Sequence, residues 1–273
     1  MIDMHVFYLS LLQGITEFLP VSSSGHLILL SKFSFFPDEG MPLDVAVHVG
    51  SALAVLIYFS DVIWDIIRGL LKTKFIPNFK DEGAQLFWLL VIGTIPAIIV
   101  GFLLKKHGMD WARDTKLIGW TILCYGLLLW FADKFSMTIR QIKHMGVIDA
   151  VVIGCAQCLA LVPGTSRSGI TITAARFLGI ERREAAKFSM LLSIPVILAA
   201  ATLTGWEVWQ QGNFNEILKL FDGVVYSYVS SVIAIYIVMW WLKKSTFFPF
   251  VLYRIILGSI LLLDSYGIMS INI

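Results

Sequence analysis

The chain has 273 residues, 58% of them apolar, and its 21 Lys and Arg barely exceed its 19 Asp and Glu, for a formal charge of +2. Soluble domains are about 45–50% apolar and about 25% charged; here only 15% of residues are charged, too few to clothe a hydrated surface. A soluble enzyme and a disordered chain are excluded, a nucleic-acid surface is not expected at this net charge, and lipid is the expected solvent.

Three cysteines, an odd number without framework spacing, argue against a disulfide scaffold. Cys155 and Cys158 form a CxxC, but no second Cys/His pair lies near, so both are expected to be small buried hydrophobes rather than a zinc or redox site. The opening MIDMH has no basic n-region and no cleavage site follows, so the first segment is expected to be retained.

A membrane-crossing helix needs about 20 apolar residues, with a range of about 17–25. In chain order, Val6–Phe36 is apolar but broken by Pro20-Val21-Ser22-Ser23-Ser24-Gly25-His26. Val45–Ser60 follows, interrupted only by His48, and then Leu86–Leu104 and Leu117–Ala132, both uncharged. Val147–Leu178 is broken in turn by Pro163-Gly164-Thr165-Ser166-Arg167-Ser168-Gly169. Phe188–Trp206 and Gly223–Leu242 carry no charge, and a last segment from about Phe250 to Ile268 contains Arg254 and Asp264. Irregular backbone cannot face lipid but is tolerated where it lines a protein interior. The two broken segments, with arms too short to span, therefore read as re-entrant hairpins, and the other six as spans.

The two loops resemble each other, FLPVSSSG against LVPGTSRSG with one residue inserted, and each hairpin precedes three spans. The expected fold is an all-α polytopic membrane protein of one integral domain. It has two inverted-topology repeats, about 1–140 and 141–273, each a re-entrant helical hairpin plus three transmembrane helices, with the interrupted helices meeting near the midplane. If sides alternate, twelve Lys and Arg, among them Arg68, Lys72, Arg140, Arg182 and Lys243, share one side. Only six, Lys32, Lys105, Lys106, Arg113, Lys116 and Lys219, fall on the other. The richer side is expected to be cytoplasmic, with both termini and the first hairpin's mouth facing outward.

Ionisable residues at membrane depth are costly and mark function. Gln13 and Glu17, four apart on one helix face, lead into Ser22, Ser23, Ser24 and His26; Gln157 leads into Gly164, Thr165, Ser166, Arg167 and Ser168. If the loops meet, the site holds a carboxylate, an imidazole, hydroxyls and one guanidinium, an inventory suited to phosphate. Arg offers a permanently charged fork to phosphate oxygens, and a Gly-rich turn entering a helix aims N–H groups at an anion. Ser23 and His26 could act as nucleophile and base, with Glu17 orienting the base or holding a divalent cation. Ser and Gly in membrane helices also serve close packing; the convergence of Glu17, His26 and Arg167 on two similar interrupted segments favours function. His48, four after Asp44, is open to either reading, and the Lys and Arg of the connecting loops read as topology signals.

SSSGH and SRSG superficially resemble type-2 phosphatidic-acid phosphatases, but the position six after the Arg, where that pattern has its nucleophilic His, is Thr173. Gln13–Leu27 (QGITEFLPVSSSGHL) and Leu161–Ile172 (LVPGTSRSGITI) instead resemble the two motifs of the bacterial undecaprenyl-diphosphate phosphatases, the bacitracin-resistance family. Asp44–Gly50 and Arg182–Pro195 are similar to that family too, so the resemblance runs through nearly the whole chain. The family's acidic motif has Glu or Gln, then Glu four residues on; here these are Gln13 and Glu17, one carboxylate fewer for a metal.

The resemblance implies hydrolysis of undecaprenyl diphosphate to the monophosphate at the outer face of the bacterial inner membrane, which recycles the carrier lipid for peptidoglycan synthesis. It implies a divalent cation, magnesium or calcium, with Glu17 as the metal-linked carboxylate. Ser23 would be the nucleophile, His26 its acid/base partner or itself the attacking group, and Arg167 the diphosphate clamp. The expected partners are the polyprenyl diphosphate and membrane lipid, with no nucleic acid; a homodimer is compatible with the sequence. The competing class is a lipid-phosphate transporter or flippase, because inverted repeats with broken helices are a transporter architecture.

Overall fold

A computed structural model describes residues 3–23, 25–27, 40–107, 114–211 and 214–269. These residues are helical throughout, with one isolated bridge between Arg140 and Ile180 and no strand among them. Six helices are long and apolar enough to cross a membrane: Met41–Tyr58, Glu82–Leu104, Thr115–Phe135, Arg182–Trp206, Ile217–Trp241 and Phe248–Ser265. The chain is a multi-pass membrane protein, as the charge-free stretches require.

Helix α1 (Met4–Thr16) starts where Asp3 Oδ1 accepts from the His5 and Val6 N–H groups at 3.0 and 3.4 Å. Helical backbone resumes at Ser23 and continues at residues 25–27; the rest of that arm, with Ser24, lies outside the described residues. Helix α2 (Met41–Tyr58) turns at Phe59 into α3 (Ser60–Lys72). Helix α3 lies between the spans expected at Val45–Ser60 and Leu86–Leu104. Asp61, Asp65, Arg68 and Lys72 end the apolar run, yet Ile66, Gly69 and Leu70 fall on one buried face, so α3 is amphipathic.

Next come α4 (Glu82–His107) and α5 (Thr115–Phe135). The second hairpin is α6 (Val147–Cys158), a 3-10 turn over Leu159–Leu161, and α7 (Arg167–Phe177). Arms of 12 and 11 residues reach about 18 and 17 Å, against a hydrocarbon core of about 30 Å. They pack on each other, and each is too short to cross alone. Helices α8 (Arg182–Gln211), α9 (Phe214–Trp241) and α10 (Phe248–Ser265) complete the chain.

The main apolar core runs between the hairpins and the spans, from Phe18 and Leu89 through Ile153, Phe188 and Leu191 to Ile235 and Phe247. Large apolar side chains also cover the outside; Phe102 is 72% and Trp240 69% exposed, the distribution of a protein solvated by lipid. Cys155 points outward on this face rather than being buried as expected, Cys158 is half-buried, and both thiols are free.

The leading arms α1 and α6 each make one close approach through a glycine. Gly14, three before Glu17, lets α1 approach α9 so closely that a Cβ would meet Ser230 Oγ at 1.9 Å. Gly154, three before Gln157, does the same for α6 against α4, where a Cβ would meet Gly93 O at 2.5 Å. Small-residue packing therefore lies in the arms, extended by buried hydroxyls linking Ser51, Ser227 and Ser231 at 2.9–3.0 Å.

Charges sort to the two ends of the bundle. At one end Lys219 pairs with Asp3 at 3.4 Å and Lys116 lies over the Tyr266 ring. At the other, Arg140 forks onto Asp149 at 3.0 and 2.6 Å, and Asp133 gathers α5, α7, α8 and α10. Asp133 accepts from Arg176 Nε (3.2 Å), Arg182 Nε (2.6 Å) and the Phe247 N–H (3.2 Å). Arg140 and Arg182 thus do more than signal topology. Arg176 is fully buried, so Asp133→Ala leaves a guanidinium short of its counter-charge and should cost about 3–5 kcal/mol. Thermal unfolding in detergent, followed by the monodisperse fraction, should show this as a large downward shift; an unchanged transition would make the cluster dispensable.

Candidate active site where the hairpin tips meet

Both loops enter their second arm through a serine in the left-handed region, Ser22 at φ 80° and Ser166 at φ 71°. Such backbone costs about 1–3 kcal/mol in a residue with a side chain and persists where surroundings enforce it. Each serine Oγ accepts from the glycine N–H three residues on, Gly25 at 3.2 Å and Gly169 at 3.0 Å. The positive end of α7 is thereby brought to the second tip, and helical backbone opens at Ser23 in the first. Ser168 Oγ donates to Leu19 O at 3.0 Å, stitching the second tip to the first. The Ser22, Ser166 and Ser168 hydroxyls, expected to touch substrate, are occupied in holding the loops.

The tips meet at Glu17, which is 5% exposed. Its Oε1 accepts from Arg167 Nη2 at 2.7 Å, across 150 residues of chain. Its Oε2 accepts from Gln13 Nε2 at 2.7 Å and from Ser23 Oγ at 2.8 Å. Arg167 Nη1 donates to Ser189 O at 2.8 Å, so two of its five N–H donors are used and three remain. Four of the expected residues, Gln13, Glu17, Ser23 and Arg167, therefore form one connected cluster.

His26 does not join it. Its Nδ1 lies 2.6 Å from Ser22 O, which can only accept, so Nδ1 carries the proton and Nε2 accepts from Tyr253 OH at 2.5 Å. The His26 and Tyr253 rings stack 5.6 Å apart at 12°. The imidazole facing the cluster is that of His48. Its Nδ1 lies 2.6 Å from Asp44 O, leaving Nε2, 3.5 Å from Glu17 Oε2, to deliver or receive a proton.

The remaining expected residues sit behind this cluster. Gln157 is buried, donates to Gly93 O at 3.4 Å, and has no hydrogen bond to either loop. Gly164 takes φ +88°, and a Cβ there would meet Thr121 Oγ1 at 2.1 Å, so only glycine fits. Among the described residues, Gln13 Oε1, Gln157 Oε1 and Thr165 Oγ1 are buried with no partner. Thr173 is spent on Gly169 O at 2.7 Å. Sequence reasoning passed over Arg254, which is fully buried at mid-span, and Tyr253; the one signal was a single Arg in an apolar segment.

Residues 6–260 match the family model described as bacitracin resistance protein BacA. The chain belongs to this family. It is 44% identical to an undecaprenyl-diphosphatase of Roseobacter denitrificans, covering 96% of this chain and 98% of that protein. An undecaprenyl-diphosphatase of Alteromonas mediterranea is 42% identical, covering 94% and 96% of the two chains. Undecaprenyl-diphosphatase 1 of Rhodospirillum rubrum is 43% identical, covering 97% and 96%. The family match takes in both interrupted segments and five of the six crossing helices, and ends within the sixth.

Proposed function

We propose that this chain hydrolyses undecaprenyl diphosphate to undecaprenyl phosphate and inorganic phosphate, recycling the carrier lipid and conferring bacitracin resistance. The observation that carries the reading is the buried Glu17–Arg167 contact between the two tips, with Ser23 on the same carboxylate, in a chain of the BacA family. Arg167 binds the diphosphate oxygens through its free N–H groups, and the N-terminus of α7 adds its positive end. Ser23 Oγ attacks the terminal phosphorus; the bond to the bridging oxygen breaks and undecaprenyl phosphate leaves. The Ser23 proton goes to Glu17 Oε2, which also lies 3.5 Å from His48 Nε2. Water then attacks that phosphorus and the Ser23 Oγ–P bond breaks; Glu17 returns the proton to Ser23 Oγ, the water oxygen leaves with one proton in the phosphate, and its other proton passes to solvent. His26 is bonded to Ser22 and Tyr253 rather than to Ser23, which favours Glu17 as the base.

A divalent cation fits this donor set only with the substrate. Among the described residues no group of three or more His, Cys, Asp or Glu converges. The orphaned Gln13 Oε1 and the Glu17 carboxylate are oxygen donors of the kind magnesium and calcium take, completed by phosphate oxygens and water. When bound, the cation would neutralise charge on those phosphate oxygens.

The same proposal includes two inverted repeats, about 1–140 and 141–273, in the bacterial inner membrane with the first hairpin opening outward. The matching Gly14 and Gly154 approaches, the Ser22 and Ser166 turns, and the uneven Lys and Arg count support it. Purified protein in detergent should release phosphate from undecaprenyl diphosphate over many turnovers. No release, with the lipid headgroup instead carried across vesicle bilayers, would make it a transporter.

Within this mechanism Ser23→Ala and His26→Ala should each lower single-turnover phosphate release, and their losses should multiply, because the two share no hydrogen bond. Ser23→Ala and His48→Gln should not multiply, because both act through Glu17 Oε2. The reverse pattern would return the base role to His26.

A further inference from the structure

Arg254 sits in the middle of α10, 0% exposed, and all five of its N–H donors are engaged. Every partner is a backbone carbonyl. Nε donates to Ile122 O at 3.0 Å; Nη1 to Pro20 O at 3.2 Å and Thr165 O at 3.0 Å; Nη2 to Thr121 O at 3.2 Å and Gly164 O at 3.1 Å. Among the described residues no carboxylate pairs with it. One guanidinium therefore grips the first tip through Pro20, the second through Gly164 and Thr165, and α5 through Thr121 and Ile122.

We infer that Arg254 is the positioning residue of the diphosphate cradle. Carbonyl oxygens at a tip would repel phosphate and, left buried and unpaired, would each cost free energy. Drawing those of Pro20, Gly164 and Thr165 to one cation beside the loops leaves the N–H end of α7 for the anion. Among the described residues the charge of Arg254 is not cancelled by an acid, whereas that of Arg167 is matched by Glu17, so Arg254 adds uncompensated positive charge beside the two tips. Burying a cation this way is expensive in lipid, which is the cost expected of a functional rather than a packing residue.

The inference rests on the phosphatase reading for the identity of the anion, and its test is read without turnover. Labelled inorganic pyrophosphate would be equilibrated with purified, monodisperse wild type, Arg254→Lys and Arg254→Gln in detergent, beside KM and kcat for the lipid. Lys keeps the charge but has three donors in place of five. Arg254→Lys should weaken pyrophosphate binding and raise KM about tenfold or more, and Arg254→Gln should weaken both further. Asp133→Ala, at the far end of the bundle, should lose stability without changing pyrophosphate affinity in its folded fraction. Affinity in Arg254→Lys within about twofold of wild type would overturn the inference. So would a Lys variant whose losses only track its folded fraction, or a wild type that does not bind pyrophosphate. Pyrophosphate binding by a wild type that fails to hydrolyse the lipid would fault the phosphatase reading alone.

Discussion

Arg167→Lys should lower kcat/KM for the lipid diphosphate about 100- to 1,000-fold, the loss typical of removing a donor aimed at developing negative charge. The charge survives the substitution; the planar fork does not. Arg167 uses one Nη on Glu17 and the other on Ser189 O, and still has N–H groups to spare for phosphate. A lysine ammonium has three donors on a flexible stem and cannot hold both protein partners and the substrate in one plane. Both KM and kcat should move, because the contact exists in the ground state and strengthens as charge shifts to the leaving oxygen. Steady-state phosphate release gives the split. Near-normal turnover would make Arg167 a strut between the hairpins and nothing more.

Glu17→Gln should lower kcat about 100- to 10,000-fold, the range for losing a positioned acid–base group. Gln has nearly the same shape, and its amide oxygen can still accept from Ser23, but it cannot take the serine proton. KM should stay level or fall, because removing the carboxylate leaves Arg167 and Arg254 both unmatched and the pocket more positive. That split distinguishes Glu17 from Arg167, whose loss raises KM. A raised KM with unchanged kcat in Glu17→Gln would make the carboxylate a binding group without a part in proton transfer.

Six spans could be read directly, because uncharged runs such as Leu86–Leu104 leave the backbone no alternative in lipid. The meeting of Glu17 with Arg167 was legible for a different reason: two similar interrupted segments implied two similar hairpins. Helix α3 was not legible as a helix because Asp61, Asp65, Arg68 and Lys72 end the apolar run that marks a span. The exchange of imidazoles was hidden as well. Ser23 and His26 are three apart, but His26 Nδ1 bonds back to Ser22 O and its other nitrogen goes to Tyr253, 227 residues away. His48 comes to Glu17 through the packing of α2, and nothing local to Asp44–Gly50 records that. The grip of Arg254 is on backbone carbonyls, which leave no trace in side-chain identity.

A double-mutant cycle across the hairpin boundary tests most directly that the two tips make one phosphatase site. Single-turnover phosphate release from undecaprenyl diphosphate would be measured for wild type, Glu17→Gln, Arg167→Lys and the double variant, each monodisperse in detergent. Groups acting as a unit are strongly non-additive, so the double variant should be within about threefold of the worse single one. Losses that multiply would mean that Glu17 and Arg167 act independently, and would contradict a site shared between the hairpins.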